Sequence, residues 1–312
     1  MHPDLSGCLR IKQNLILQTS KPNIKIAAIL TCFNRKEKTI ACIEQLKNQV
    51  SHGVDLSVIV TDDGSTDGTA DAISKRWNDV TVLFGDGNLY WTRGMRLAMD
   101  FAMVQKVDFI WWVNDDTMMD SDALSRMLSV FTDKKTSESD APIIVGAIRD
   151  EKSQKLTYGG FLHTNPVIHP LRFQFLPVSD TPQRCDVFNG NCVLIPAKVV
   201  ETIGPLDTAS IHSTGDFEYA LRARKFGFEA WVVPNYVGRC SRNPEKGTWK
   251  DMSLSLLKRY KLLFSTKGIP VSQRFHYYKK HGGPFWIFIF PLVYFRPIMM
   301  SVQHVFSTRN SS

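Results

Sequence analysis

The sequence contains no C-x-x-C pair, and its six cysteines (Cys8, Cys32, Cys42, Cys185, Cys192 and Cys240) are scattered without zinc-ligand spacing. That excludes a zinc-ribbon or dithiol protein and fits a reduced compartment. The first 20 residues carry acidic and polar side chains and lack a continuous apolar core, so they do not read as a secretory signal. No stretch reaches the roughly 20 apolar residues of a membrane-crossing helix. The nearest, Pro284 to Phe295, is interrupted by Pro291 and closed by Arg296. It is too short to span a bilayer and too apolar to lie bare in water. Internal repeats and low-complexity segments are absent. So is a G-x-G-x-x-G after the first apolar run, which argues against a dinucleotide-binding site.

What is present is an ordinary globular composition. The 312 residues are 43% hydrophobic and 22% charged, enough for one large domain or two modest ones. The net charge of +8 is unevenly spread. Residues 239–312 hold 13 Lys/Arg against 2 Asp/Glu, whereas residues 1–238 hold 25 against 28. A mildly acidic body therefore precedes a strongly basic tail, and the tail is the part suited to an anionic partner.

The first half alternates strand-like runs with helical patterns, the signature of βαβ units. Strands are predicted at 26–31, 56–61, 80–84 and 108–113, with helices after each; the third helix is expected over roughly 93–105 and the fourth over 121–131. In the second half, 141–148 and 185–196 read as strands around a Pro- and Phe-rich loop at about 163–183. A helix starts near Asp216 and ends at Gly227, and 230–234 closes the α/β part. The pattern then turns helical and basic, which divides the chain into an N-terminal segment 1–23, an α/β domain 24–240 and a C-terminal extension 241–312.

Ligands of open parallel sheets bind at the carboxyl ends of the strands. Three strands here end in polar clusters: Thr31 to Arg35, Thr61 to Ser65, and Asn114-Asp115-Asp116. The second also reads as a plain turn with a helix cap, and the third as a solvated acidic loop. On an extended end, Asn114 and Asp116 point to the same side and offer oxygen ligands to Mg²⁺ or Mn²⁺.

The set IAAILTCFNR, SVIVTDDGSTDGT, GNLYWTRGM, FIWWVNDDT and GDFEYALRARKFGFEAW, in that order, resembles family 2 glycosyltransferases of the GT-A fold. The likeness covers about residues 24–240 and is similar to bacterial enzymes building O-antigen, capsule or related polysaccharide. It implies a Rossmann-like mixed sheet flanked by helices that binds a nucleoside-diphosphate sugar. By that resemblance Thr31, Asn34 and Arg35 line the nucleotide, and Asp62 and Asp63 read base and ribose. Asn88 and Trp91 pack beside the nucleotide-sugar, Asp116 ligates a divalent cation, and Asn114, at the first position of the metal triplet, and Asp115 belong to the donor-binding set, Asp115 contributing to the cation in place of Asn114. Asp216 is the general base of an inverting transfer, and Asn189, Gly190 and Asn191 line the acceptor side, although a strand bulge explains that glycine equally well.

Departures from the family pattern are Asn114 in place of a first Asp, Gly215 before the base, and no His after the last strand. Arg239 or Arg242 is expected to stabilise the leaving diphosphate instead. His212, four residues before Asp216, is placed to approach the site but also reads as a surface or hydrogen-bonded loop residue; Trp111 and Trp112 read as strand packing, and Glu218 as a partner of Arg222.

In the tail, Leu256, Leu257, Tyr260 and Leu263 are expected on one helical side, with Lys258, Arg259 and Lys261 elsewhere. Cations beside aromatics suit an anionic membrane surface. Packing on the body or a second subunit is the other reading, and no nucleic-acid module is recognisable. The reading is an inverting, metal-assisted transferase on the cytoplasmic face of the inner membrane, with a saccharide acceptor that is lipid-linked. The alternatives are a sugar nucleotidyltransferase, which lacks its Gly-rich loop here, and a non-catalytic nucleotide- or saccharide-binding subunit.

Overall fold

The computed structural model describes residues 23–137, 140–166, 169–212 and 214–309. Cys8 and nearly all of the N-terminal segment lie outside the described residues. The chain runs β1 (Ile24–Cys32), α1 (Lys36–Lys47), β2 (Val54–Asp62), α2 (Thr69–Arg76), β3 (Val80–Phe84), α3 (Tyr90–Val104), β4 (Phe109–Val113), β5 (Met118–Met119) and α4 (Ala123–Lys134). It continues through β6 (Ile143–Arg149), β7 (Leu156–Tyr158), β8 (Gly160–His163), β9 (Phe173–Phe175), β10 (Gln183–Cys185), β11 (Val187–Phe188), β12 (Cys192–Pro196), α5 (Ala197–Ile203), α6 (Gly215–Lys225) and β13 (Ala230–Arg239). The tail adds α7 (Leu256–Leu263), α8 (Val271–His281), α9 (Trp286–Ile289), a 3-10 turn Phe290–Phe295 and α10 (Arg296–Arg309).

The main sheet has the order β10-β13-β6-β12-β4-β1-β2-β3, and a small second sheet has the order β11-β8-β9. β3, β2, β1 and β4 are parallel, while β12 runs antiparallel to β4 and β6. The parallel strands are covered on both faces, which is why they read as continuous apolar runs. One core layer joins Ile29, Met95, Trp112 and Tyr219; the other joins Ile43, Ile73, Trp111 and Leu124. Trp111 and Trp112 are fully buried strand residues, opposite Leu194 and Val193 of β12.

The segment 185–196 is not one strand. Asn189-Gly190-Asn191 leaves the sheet between β11 and β12 and faces a pocket, so the apolar residues on either side belong to different sheets. The 163–183 segment, read as loop, carries β9. Helix α3 begins at Tyr90, so Trp91 lies within it.

The tail differs most. In α7 Leu263 is buried as its pattern predicts, but so is Arg259, donating to the Trp249 carbonyl at 3.0 Å and Ser301 Oγ at 2.7 Å, whereas Leu257 is 82% exposed. A guanidinium whose bonds are satisfied tolerates burial. The apolar run also does not stop at Arg296: helical structure continues, and Trp286–Gln303 is long and apolar enough by length and composition to cross a membrane. Val293 anchors that run to Leu263 and Ile269, and Tyr260 donates to the Tyr294 carbonyl at 3.0 Å.

Candidate active site

The C-terminal ends of β1, β2 and β4 converge at the point where strand order reverses. Above them lies a pocket of about 640 Å³. It brings together Thr31, Arg35, Asp63, Trp91, Asn114, Asp115, Asp116, Asn189, Gly190, Asn191 and Asp216. Helix α3 closes tightly over β1 because residue 94 is glycine: a Cβ there would meet Thr31 Oγ1 at 2.3 Å. At Gly190 a Cβ would meet Trp91 Cζ2 at 2.4 Å, so glycine is required for the indole to lie against this loop.

Three non-glycine residues adopt left-handed backbone where chains enter the site: Asn34 (φ 52), Tyr90 (φ 54) and Thr214 (φ 71). Each costs of order 1–3 kcal/mol, and such residues cluster at functional sites. Asn34 secures its turn by receiving the Thr66 N–H on Oδ1 at 2.8 Å and donating its own N–H to Ser65 Oγ at 2.9 Å.

The acidic residues divide into different tasks. Asp62 is buried and accepts the Ser65 N–H at 2.9 Å, so it closes a turn and does not line the pocket. Asp63 lines it, but both oxygens hold the loop into α3: Oδ1 accepts from Gly87 and Leu89 at 2.9 and 3.1 Å, and Oδ2 from Tyr90 at 2.9 Å. Arg35 reaches across from the start of α1 to donate to Asp115 Oδ1 at 3.0 Å and to Asp116 Oδ2. Burial pushes the Asp115 carboxyl up to about 7, Arg35 opposing and Asp116 reinforcing the shift.

Among the described residues no cluster of three or more His, Cys, Asp or Glu can hold a metal by itself. The oxygen donors at the end of β4 still suit a hard cation. Asp115 Oδ2 is buried without a hydrogen-bond partner, an acceptor left open beside Asp116. Asn114 Oδ1 accepts the Trp91 indole N–H at 2.8 Å, so the amide oxygen and the indole position each other. Asp115 and Asp116 therefore fit such an ion better than Asn114 does.

Asp216 sits in the first turn of α6, where the helix dipole favours an anion. Its Oδ2 accepts the Gly190 N–H at 3.0 Å and Oδ1 the Phe217 N–H at 2.9 Å. Burial nevertheless raises its pKa from the ordinary aspartate value, the Phe217 and Gly190 N–H groups opposing the shift. Asp216, Asn189 and His212 also border a second cavity of about 350 Å³, so the carboxylate lies where the two spaces meet. His212 belongs to both walls, which favours its approach to the site over a plain surface position.

Besides Asp62, four predicted positions do not line the pocket: Asn34, whose side chain holds its own turn, and Asn88, Arg239 and Arg242. Asn88 is exposed and contacts Asp86. Arg239 faces Glu151 at 3.6 Å, and Arg242 donates to the Thr157 carbonyl at 3.0 Å while lying over Phe175. Neither arginine lines the pocket, because β13 and the chain after it direct them toward β6, β7 and β9. The cations that do line it are Arg35 and Lys267. Lys267 follows α7, and no spacing in the sequence links it to the ends of β1, β2 and β4, at Cys32, Asp62 and Val113.

The model of glycosyl transferase family 2 matches residues 27–203. A poly(ribitol-phosphate) beta-glucosyltransferase of Bacillus spizizenii is 26% identical over 146 residues, 46% of this chain and 22% of that protein. The match thus spans less than a quarter of that relative's length. Among solved structures, a mannosyltransferase from Pyrobaculum calidifontis in complex with GDP-Man and Mn²⁺ superposes with a TM-score of 0.53 at 14% identity, covering 92% of this chain and 75% of that one. S. aureus TarS gives a TM-score of 0.52 at 14% identity, over 80% of this chain and 41% of TarS. TarS 1–349 in complex with UDP gives 0.51 at 14% identity, over 80% and 68%. These likenesses show the GT-A fold.

Proposed function

This chain belongs to glycosyl transferase family 2, and on that premise we propose that it transfers a sugar from a nucleoside diphosphate to a saccharide hydroxyl with inversion. The observation that carries this reading is the Asp216 carboxylate at the junction of two cavities, one of them built on strand ends. The pocket over β1, β2 and β4 takes the donor, and the acceptor hydroxyl enters from the second cavity. Its oxygen forms the bond to the anomeric carbon as the bond to the diphosphate oxygen breaks. The electron pair leaves on the diphosphate and the proton passes to Asp216. The raised pKa of Asp216 makes it a better proton acceptor than an ordinary carboxylate.

A divalent cation, Mg²⁺ or Mn²⁺, held by Asp116 with Asp115 would supply charge neutralisation to the leaving diphosphate. Lys267, on the pocket wall, adds a fixed positive charge there. The acceptor is a saccharide of cell-surface polysaccharide synthesis carried on a lipid, and the basic, apolar tail keeps the chain peripheral on the cytoplasmic face of the membrane.

A thermal-shift screen of nucleoside-diphosphate sugars, with and without Mn²⁺, tests the donor. A ligand at 100 times its Kd stabilises the folded chain by about 2.7 kcal/mol. One nucleotide should raise the melting temperature, and more so with Mn²⁺. No shift with any nucleotide would contradict the reading.

A further inference from the structure

The second cavity differs from the donor pocket in the state of its cations. Arg274 of α8 and Arg296 at the start of α10 both line it, with Tyr277, Tyr278, Phe173 and Phe217. Among the described residues no carboxylate pairs with either guanidinium. By contrast Arg35 is bonded to Asp115 and Asp116, Arg222 to Glu218, and Arg259 to Trp249 and Ser301. Arg274 has only the Tyr277 ring, 5.8 Å from its guanidinium carbon. Burial lowers its pKa, and the Arg296 charge adds to that effect. Arg274 is partly buried and Arg296 beside it is exposed, so an anion between them would gain two guanidinium forks and offset the burial of the first.

We infer that Arg274 and Arg296 bind a phosphate group carried by the acceptor, holding its saccharide hydroxyl toward Asp216. This rests on the transferase reading above and adds the acceptor's anionic group to it. The aromatic wall suits a sugar ring, whereas two guanidinium forks suit phosphate oxygens. The lipid-linked source is favoured by position. Arg296 interrupts a stripe of exposed apolar residues, with Phe288, Leu292 and Phe295 before it and Met299 and Val302 after it. A phosphate at Arg296 therefore places an attached lipid beside that stripe.

The test is calorimetric titration of the full chain with geranyl diphosphate, its donor pocket first saturated with the nucleoside diphosphate that stabilises it. Arg274→Gln and Arg296→Gln should each weaken geranyl diphosphate binding at least tenfold, and Arg274→Lys should retain part of it. Stabilisation by the nucleoside diphosphate should be unchanged in all three, which also shows that they fold. Equal affinity in the wild type and both Gln variants would overturn the inference. So would displacement by oligo(glycerol phosphate) at equal phosphate concentration, which assigns the site to a polyol chain. If no nucleoside diphosphate stabilises the wild type, the transferase reading falls. If one does but geranyl diphosphate fails to bind, only the acceptor inference falls.

Discussion

Glu218 is fully buried yet remains charged, because Arg222 of its own helix and Lys280 and His281 of α8 surround it. Burial pushes its carboxyl up, but the bonds from His281, Arg222 and Lys280 together outweigh that and hold it at about 2, below its ordinary 4.5. A depressed carboxyl stabilises the fold fully above the unfolded pKa, and the contribution is lost as pH falls through the window from 4.5 toward 2. Glu218→Gln should therefore cost about 3–5 kcal/mol at pH 7, as expected for breaking a buried pair. The gap between variant and wild type in urea melts should narrow below pH 4.5; a constant gap would show that charge is not the cause. The i,i+4 spacing to Arg222 was readable from the sequence, but the two partners on α8 were not. Asp63 carries a similar lesson: its motif locates it at the site, but its three backbone donors follow from a loop geometry that no motif encodes.

At the scale of elements, the parallel half was legible because strands buried on both faces leave unbroken apolar runs, and α1, α2 and α4 carry a regular apolar face. The second half was less so. β9 and β11 are two or three residues long, too short for alternation to register. The direction of Arg239 and Arg242 depends on bulges in the pairing of β13 with β6, which are tertiary features. In the tail, the basic and aromatic composition was evident, but its buried side was not, since Arg259 occupies it. The exposed stripe on the final helices is the surface we propose for an anionic bilayer, with the exposed Lys258, Lys261 and Lys279 of α7 and α8 as flanking cations, each contributing about 1 kcal/mol near such a surface. The full chain should float with vesicles containing anionic lipid. Phe288→Glu with Leu292→Glu should leave it at the bottom of the gradient. Equal flotation of both would remove this stripe from the membrane contact.

Across the whole molecule, the uneven charge acquires a spatial meaning. The acidic body places Asp115, Asp116 and Asp216 around the donor pocket, and the basic tail folds back to supply Lys267 on one side of Asp216 and Arg274 and Arg296 on the other. Helix α8 is bound to the body through Asp207, which accepts from His276 and Lys280 at 3.0 and 3.1 Å, and through Gln273, whose Oε1 accepts the Ile211 N–H at 3.0 Å. The tail is therefore part of the site. The central claim is that Asp216 takes the acceptor proton between two bound substrates. It is tested most directly by measuring, for Asp216→Asn, both sugar transfer from the donor identified by thermal shift and the affinity for its nucleoside diphosphate. The account predicts that transfer falls at least a hundredfold, within the range of general-base catalysis, while nucleotide affinity stays within about twofold. Transfer at the wild-type rate with intact nucleotide binding would contradict it.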